Sequence, residues 1–276
     1  MRELYKGKNG DLLFRKSFCA YIDILGFSEK IKENDLTFFS SYLNTLEKEL
    51  QHIEDTHDLS GQKGFKSFEL KIFTDNFIFG HPWFDTYGES ELGNIFEALS
   101  HIQFTFVKSN IFIRGAISVS DLYMDENIVL GPALIESYKL ESEKALNPRI
   151  ILSSDVREIV KKHINYYADH NSSPQSKEYL VDIDGYSFIN YLFILFYDGY
   201  PPEKITVEEL ILHKDPIVLN LNLHRNNFKL FDKYSWVANY HNFFCDNYVL
   251  PSYPNVDLVK IKIDENLYKK NITKIV

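Results

Sequence analysis

Two acids stand out in this chain by the company they keep. Asp23 lies inside Tyr21-Ile-Asp-Ile-Leu-Gly-Phe-Ser28, and Asp75 ends Lys71-Ile-Phe-Thr-Asp75. The run from Ser17 to Leu25 is apolar on both alternating faces, the pattern of a buried strand. A carboxylate there needs a cation, a hydrogen-bond network or a raised pKa. Asp75 falls at a turn between 68–73, where apolar and charged residues alternate, and the apolar run 77–79. Carboxylates at the ends of neighbouring strands make a seat for hard divalent ions, because Mg²⁺ takes a few carboxylates and completes its shell with substrate phosphates. Gly26 lets the backbone turn and Ser28 is placed to cap the next helix, so free amides would face whatever sits beside Asp23. The competing reading is that each Asp only caps a turn.

The elements that must carry these residues follow from periodicity. Apolar residues at helical spacing from Ser28 to about Asp55 give one or two helices. Asp58–Gly64 reads as a polar loop, and the hairpin around Asp75 ends near Pro82. Ser90–Val107 reads as a helix, Ile111–Val119 and Asn127–Leu130 as strands. Gly131-Pro132 opens a helix to about Ala145. Arg149–Leu152 is a short strand, and Ser153 caps a helix to about His163. Beyond it, Tyr179–Phe196 adds a hairpin or a strand and helix, Pro201-Pro202 is a break, Asn220–Asn247 looks helical and Asp257–Ile263 alternates like a last strand. The sum is an α+β chain with an antiparallel-rich sheet, helices on one face and a C-terminal helix and strand extension. It reads as a single domain over 1–276, with a core of about 17–165 and an extension of about 166–276.

Composition narrows the function. Thirty Lys and Arg against 39 Asp and Glu give a net charge of −9, which disfavours a general nucleic-acid surface. An anionic substrate would have to be captured locally. Eighteen Tyr and 22 Phe suit a core and an oligomer interface. Cys19 and Cys245 lack metal-ligand spacing, in keeping with a reduced, cytoplasmic setting. The most apolar stretch, Tyr186–Tyr197, is too short for a membrane span.

With these residues in place, a family resemblance is visible. Asp23-Ile24-Leu25-Gly26-Phe27-Ser28 resembles the first metal-binding segment of class III nucleotide cyclases, and Lys71-Ile72-Phe73-Thr74-Asp75 the second. Ile113-Arg114-Gly115-Ala116-Ile117-Ser118 is similar to their arginine-glycine strand, and 131–145 with 150–153 to the helix and strand that follow. The order holds from about Phe18 to Val160.

The resemblance implies a ferredoxin-like cyclase catalytic domain that converts a nucleoside triphosphate to a 3',5'-cyclic nucleotide and pyrophosphate. It implies two Mg²⁺ or Mn²⁺ ions held by Asp23, the Ile24 backbone and Asp75, with the triphosphate on the amides of 24–28. Arg114 would neutralise leaving-group charge, and Lys71 stands where many adenylate cyclases read the base. Cyclases of this kind work as head-to-tail homodimers.

Departures matter. Ile128 stands in place of the purine-reading aspartate, Ile135 in place of an asparagine, and Lys139 in place of the transition-state arginine. Arg149 is a weak candidate to replace it, and Asp182–Gly185 falls where purine cyclases offer a phosphate lysine. The pattern is most like the pyrimidine (uridylate or cytidylate) cyclases of bacterial anti-phage (Pycsar) signalling. Alternatives are an adenylate or guanylate cyclase, a degenerate cyclase fold that binds a nucleotide without turnover, or an interaction protein with a tyrosine-rich surface.

Overall fold

The computed structural model describes residues 4–7, 9–56, 67–84, 87–196, 207–249, 258–263 and 272–273. The loop expected at Asp58–Gly64 and the break at Pro201-Pro202 lie outside the described residues. Strand β1 (Arg15–Ile24) is the axis of the sheet. It pairs antiparallel with β3 (Asn76–Pro82) on one side and β4 (Ile113–Met124) on the other. β2 (Glu69–Phe73) extends the sheet beyond β3, and the short β5 (Val129–Leu130) turns back on β4. β6 (Ile150–Leu152) runs parallel to β4, followed in space by β8 (Ser187–Ile189), β7 (Tyr179–Asp182) and β9 (Ile272–Thr273). The parallel step at β6 is reached through α4, as a crossover requires.

The helices are α1 (Phe27–Glu33), α2 (Leu36–Thr56), α3 (Glu89–Lys108), α4 (Pro132–Lys144), α5 (Ser154–Tyr166), α6 (Val207–Leu223) and α7 (Phe228–Phe244). The β1-α-β2-β3-α3-β4 order is the ferredoxin-like α+β arrangement that the resemblance implies. Ser153 caps α5, accepting the amide of Val156 at 3.3 Å, as its position suggests.

Four details differ from the sequence reading. Helices cover both faces of the sheet. Phe18, Ala20, Ile22 and Ile24 of β1 face the main core together with the buried residues of α2, α3 and α5–α7, whereas Cys19 and Tyr21 join a second cluster with Ala133 and Leu134 of α4. The small residues Ala133 and Ser137 let α4 approach closely: Ser118 Oγ donates to the Ala133 carbonyl at 2.6 Å, and Ser137 Oγ lies 3.7 Å from Cys19 Sγ. Second, the start of α1 is capped by Gly26 in the left-handed region (φ 78°), and Ser28 lies inside the first turn. Third, the long helix of 220–247 is two, because the chain turns at 224–227 and Asn227 caps α7. Finally, 258–263 is not a strand: backbone groups there are met by α7 side chains, with Asn242 Nδ2 donating to the Ile261 carbonyl and its Oδ1 accepting the Ile261 amide, both at 2.8 Å.

Candidate active site

Asp23 and Asp75 are drawn together by backbone. Asp23 is level with Asn76 on β3 and with Arg114 on β4. The Ile24 amide donates to the Asp75 carbonyl at 3.1 Å. This bond ties the tip of the β2–β3 hairpin to the end of β1. The turn is tight enough to hold Thr74 at φ 55°, a left-handed conformation uncommon for a β-branched residue. Tyr42 of α2 steadies it by donating to the Thr74 carbonyl at 3.2 Å.

The Asp75 side chain is oriented by its neighbours. Asn76 Nδ2 donates to Asp75 Oδ1 at 3.0 Å, the Thr74 hydroxyl lies 2.7 Å from the same oxygen, and Tyr21 holds Asn76 by donating to its Oδ1 at 2.6 Å. Asp23 gives its Oδ2 to Arg114 Nε at 3.1 Å. Burial pushes the Asp23 carboxyl above its ordinary range, Arg114 opposes this, and the charge of Asp75 raises it again. Two acids that repel across a short gap are the donor set a divalent cation relieves. Among the described residues no group of three or more His, Cys, Asp and Glu side chains is arranged to hold a metal. The pair therefore fits such an ion only with backbone or ligand oxygens completing the shell.

Arg114 is held twice. Besides Asp23, its Nε lies 2.9 Å from Glu141 Oε1. Glu141 is 3% exposed, on the inner face of α4. Burial lifts its pKa to about 7, with Arg114 pulling the other way and Asp23 and Asp75 adding to the rise. Sequence reasoning missed Glu141, although a signal exists: Ala133, Ser137 and Glu141 recur at four-residue spacing, the inner stripe of a helix. It also missed Lys233 of α7, which interacts electrostatically with Arg114, Asp23 and Glu141. Nothing in sequence spacing connects residue 233 to residue 23.

The other expected site residues are spread more widely. The amides of Ile24 and Leu25 are already committed, to the carbonyls of Asp75 and Phe112. That leaves Gly26, Phe27 and Ser28 of the expected amide set, and the Phe27 ring is buried against Phe38, Phe39 and Tyr42. Lys71 is half-exposed on β2, level with Ile78 and Tyr21, one rung of the sheet back from Asp23. Lys139 is exposed on the outer side of α4 and lines an open cavity of about 780 Å³ with Phe14, Leu130 and Ile135. It is not brought to Asp23 within this chain.

Arg149 is fully buried and ion-paired to Asp182 and Asp184, and Trp236 Nε1 donates to the same Asp182 at 2.6 Å. Its guanidinium also lies over the rings of Phe188 and Trp236. That arginine joins β6, the β7–β8 turn and α7, so it does not replace a transition-state arginine.

No family model matches the chain, and no curated protein matches it. Among solved structures it is similar to the guanylyl cyclase Cya2, at 13% identity and a TM-score of 0.37, over 53% of this chain and 78% of that one. It is also similar to a class III adenylyl cyclase-like ATP-binding protein from Pseudomonas aeruginosa, at 12% identity and a TM-score of 0.39. That match covers 59% of this chain and 40% of the other. Among the described residues no helix is long and apolar enough to cross a membrane.

Proposed function

We propose that this protein is a nucleotide cyclase, converting a nucleoside triphosphate to its 3',5'-cyclic monophosphate and pyrophosphate. The observation that carries the reading is the convergence of Asp23 and Asp75, remote in sequence, at one end of the central strands beside Arg114. Asp23, Asp75 and the Ile24 carbonyl would hold Mg²⁺ or Mn²⁺. Such ions, when bound, supply charge neutralisation at the phosphates and acidify the attacking hydroxyl. Asp23 and Asp75 are kept poised for this by the Tyr21–Asn76–Asp75 chain and by the backbone bond between Ile24 and Asp75. Arg114 offers its guanidinium to the departing pyrophosphate, where a planar fork matches phosphate oxygens.

The substrate we favour is a pyrimidine triphosphate, UTP or CTP, in a bacterial anti-phage signalling role. Ile128 and Ile135 support this choice because neither offers the hydrogen bonds that a purine-reading pocket uses. The exposed apolar residues Phe14, Leu130 and Ile135 around Lys139 suit a head-to-tail homodimer, in which Lys139 would serve the partner's site. Incubation with ATP, GTP, CTP and UTP plus Mn²⁺, with mass spectrometry of the product, tests the proposal. A cyclic nucleotide lost in Asp75→Asn supports it, and none from any of the four refutes it.

A second reading, nucleotide binding without turnover, is favoured by one feature. Arg114 is engaged by both Asp23 and Glu141, so its guanidinium is partly neutralised before any ligand arrives. Binding of a triphosphate with no product from any base would select this reading.

A further inference from the structure

The C-terminal extension reaches the site. Tyr234 of α7 packs edge-on against Phe112, with ring centroids 4.9 Å apart. Phe112 immediately precedes β4, and its carbonyl accepts the Leu25 amide at 2.8 Å. The contact therefore sets the first turns of α7 at the end of the sheet where Asp23 and Arg114 lie. Asn227 fixes the helix start by accepting the Leu230 amide at 3.3 Å. Beside Tyr234 stands Lys233, half-buried. Among the described residues its ammonium makes no ion pair, although it interacts with Asp23, Glu141 and Arg114.

Arg114 and Lys233 are cations at the same end of the sheet as Asp23 and Asp75, the acid pair that would hold a divalent ion. Asp23 and Glu141 are both committed to Arg114. Burial pushes the Lys233 pKa below the ordinary lysine range, Arg114 and Lys229 add to this, and Asp23 and Glu141 pull the other way. Arg114 and Lys233 are side-chain cations at the end of the sheet where this chain, whose net charge is −9, must capture an anion locally. We propose that Lys233, supplied by the extension, is a phosphate-binding residue of this site. Its Nζ takes one oxygen of a polyphosphate while Arg114 takes another, so the anion is gripped between α7 and β4. The identity of that anion as a nucleoside triphosphate rests on the reading above; the anion site itself does not.

Calorimetric titration of tripolyphosphate into the full chain, at fixed ionic strength and without divalent ions, tests it. Lys233→Gln is expected to weaken binding about 10-fold, the loss of one charge-assisted hydrogen bond. Lys233→Arg keeps the charge and binds within about 3-fold of wild type. Both variants melt as wild type does, and Lys233→Met, which keeps the apolar stem, repeats the comparison should Gln disturb the helix. With a cyclisable triphosphate and Mn²⁺, Lys233→Gln raises KM more than it lowers kcat.

Equal tripolyphosphate affinity in folded Lys233→Gln and wild type overturns the inference, as does a wild type that binds no tripolyphosphate. Failure of the cyclase reading looks different. Lys233-dependent binding would persist while no triphosphate gives a cyclic product.

Discussion

Glu141 Oε1 lies 2.9 Å from Arg114 Nε, across the gap between α4 and β4. The pair fixes Arg114 beside Asp23 but leaves a buried carboxyl whose pKa is lifted to about 7. A raised folded-state value means that the folded protein holds this proton more tightly than the unfolded chain. Its stabilising effect is therefore whole below the unfolded pKa of about 4.5 and is lost as pH rises through about 7. Glu141→Gln cannot ionise. We predict that its stability relative to wild type improves by about 2 kcal/mol between pH 5 and pH 8 in metal-free protein. Urea unfolding at the two pH values measures this, and a pH-independent difference would contradict it.

Gly115 of β4 lies directly against Ile22 of β1. A Cβ there would fall 2.4 Å from Ile22 Cδ1 and 2.7 Å from the Tyr21 carbonyl oxygen. Backbone cannot yield as a side-chain end does, so Gly115→Ala should cost about 2 kcal/mol or more and push Arg114 off Asp23. The check is a thermal melt alongside turnover. An active variant that melts as wild type does would show that the strands have slack.

The buried Arg149 ties β6 to Asp182 and Asp184, and through Asp182 to Trp236. Arg149→Ala leaves the buried Asp182 carboxylate without its cation, at a cost of about 3–5 kcal/mol. Arg149→Lys recovers little of it, since an ammonium lacks the planar fork that meets two carboxylates. Chemical denaturation reads both variants. Loss of turnover in a fully stable Arg149→Lys would instead give this arginine a place in the chemistry.

A second buried network predicts acid sensitivity. Tyr191 Oη lies 2.8 Å from His213 Nε2, His213 Nδ1 lies 2.9 Å from His241 Nδ1, and His241 Nε2 lies 3.0 Å from the Val259 carbonyl. The carbonyl only accepts, so His241 carries its proton on Nε2. His213 then donates from Nδ1 and Tyr191 donates to His213, with both rings neutral. Burial holds His241 down at about 4 and His213 well below the usual histidine value, each ring's own effect being reinforced by nearby positive charge. Folded values below the unfolded 6.5 mean stability that is whole above 6.5 and lost as pH falls toward 4. The loss is about 2 kcal/mol for His241 by pH 5, and His213 acts in the same direction. Unfolding free energies between pH 7.5 and 5 test this, and a flat profile would rule it out.

Local pattern made much of the site legible. The apolar run around Asp23, the turn at Asp75 and the strand bearing Arg114 each announce themselves, and strand pairing sets Asp23 level with Arg114 and Asn76. Other features are set by tertiary approach. Lys233 arrives through a contact between rings 122 positions apart in sequence, and Ile24 and Leu25 lose their free amides to carbonyls on other segments. The single-face reading of the helices failed for a compositional reason. Ser17, Cys19 and Ser118 are small and weakly polar, so alternation alone does not reveal that their side of the sheet is covered by α4.

A cyclase of the proposed kind needs Asp23 and Asp75 to hold divalent ions for one reaction, and product analysis tests that need. With UTP or CTP, Mn²⁺ and the full chain, mass spectrometry should find the 3',5'-cyclic monophosphate with one equivalent of pyrophosphate. Formation should fall by at least about 100-fold in Asp75→Asn, the scale of losing an essential electrostatic group. Cyclic product formed equally well by Asp75→Asn, or none from any of the four triphosphates with wild type, would contradict it.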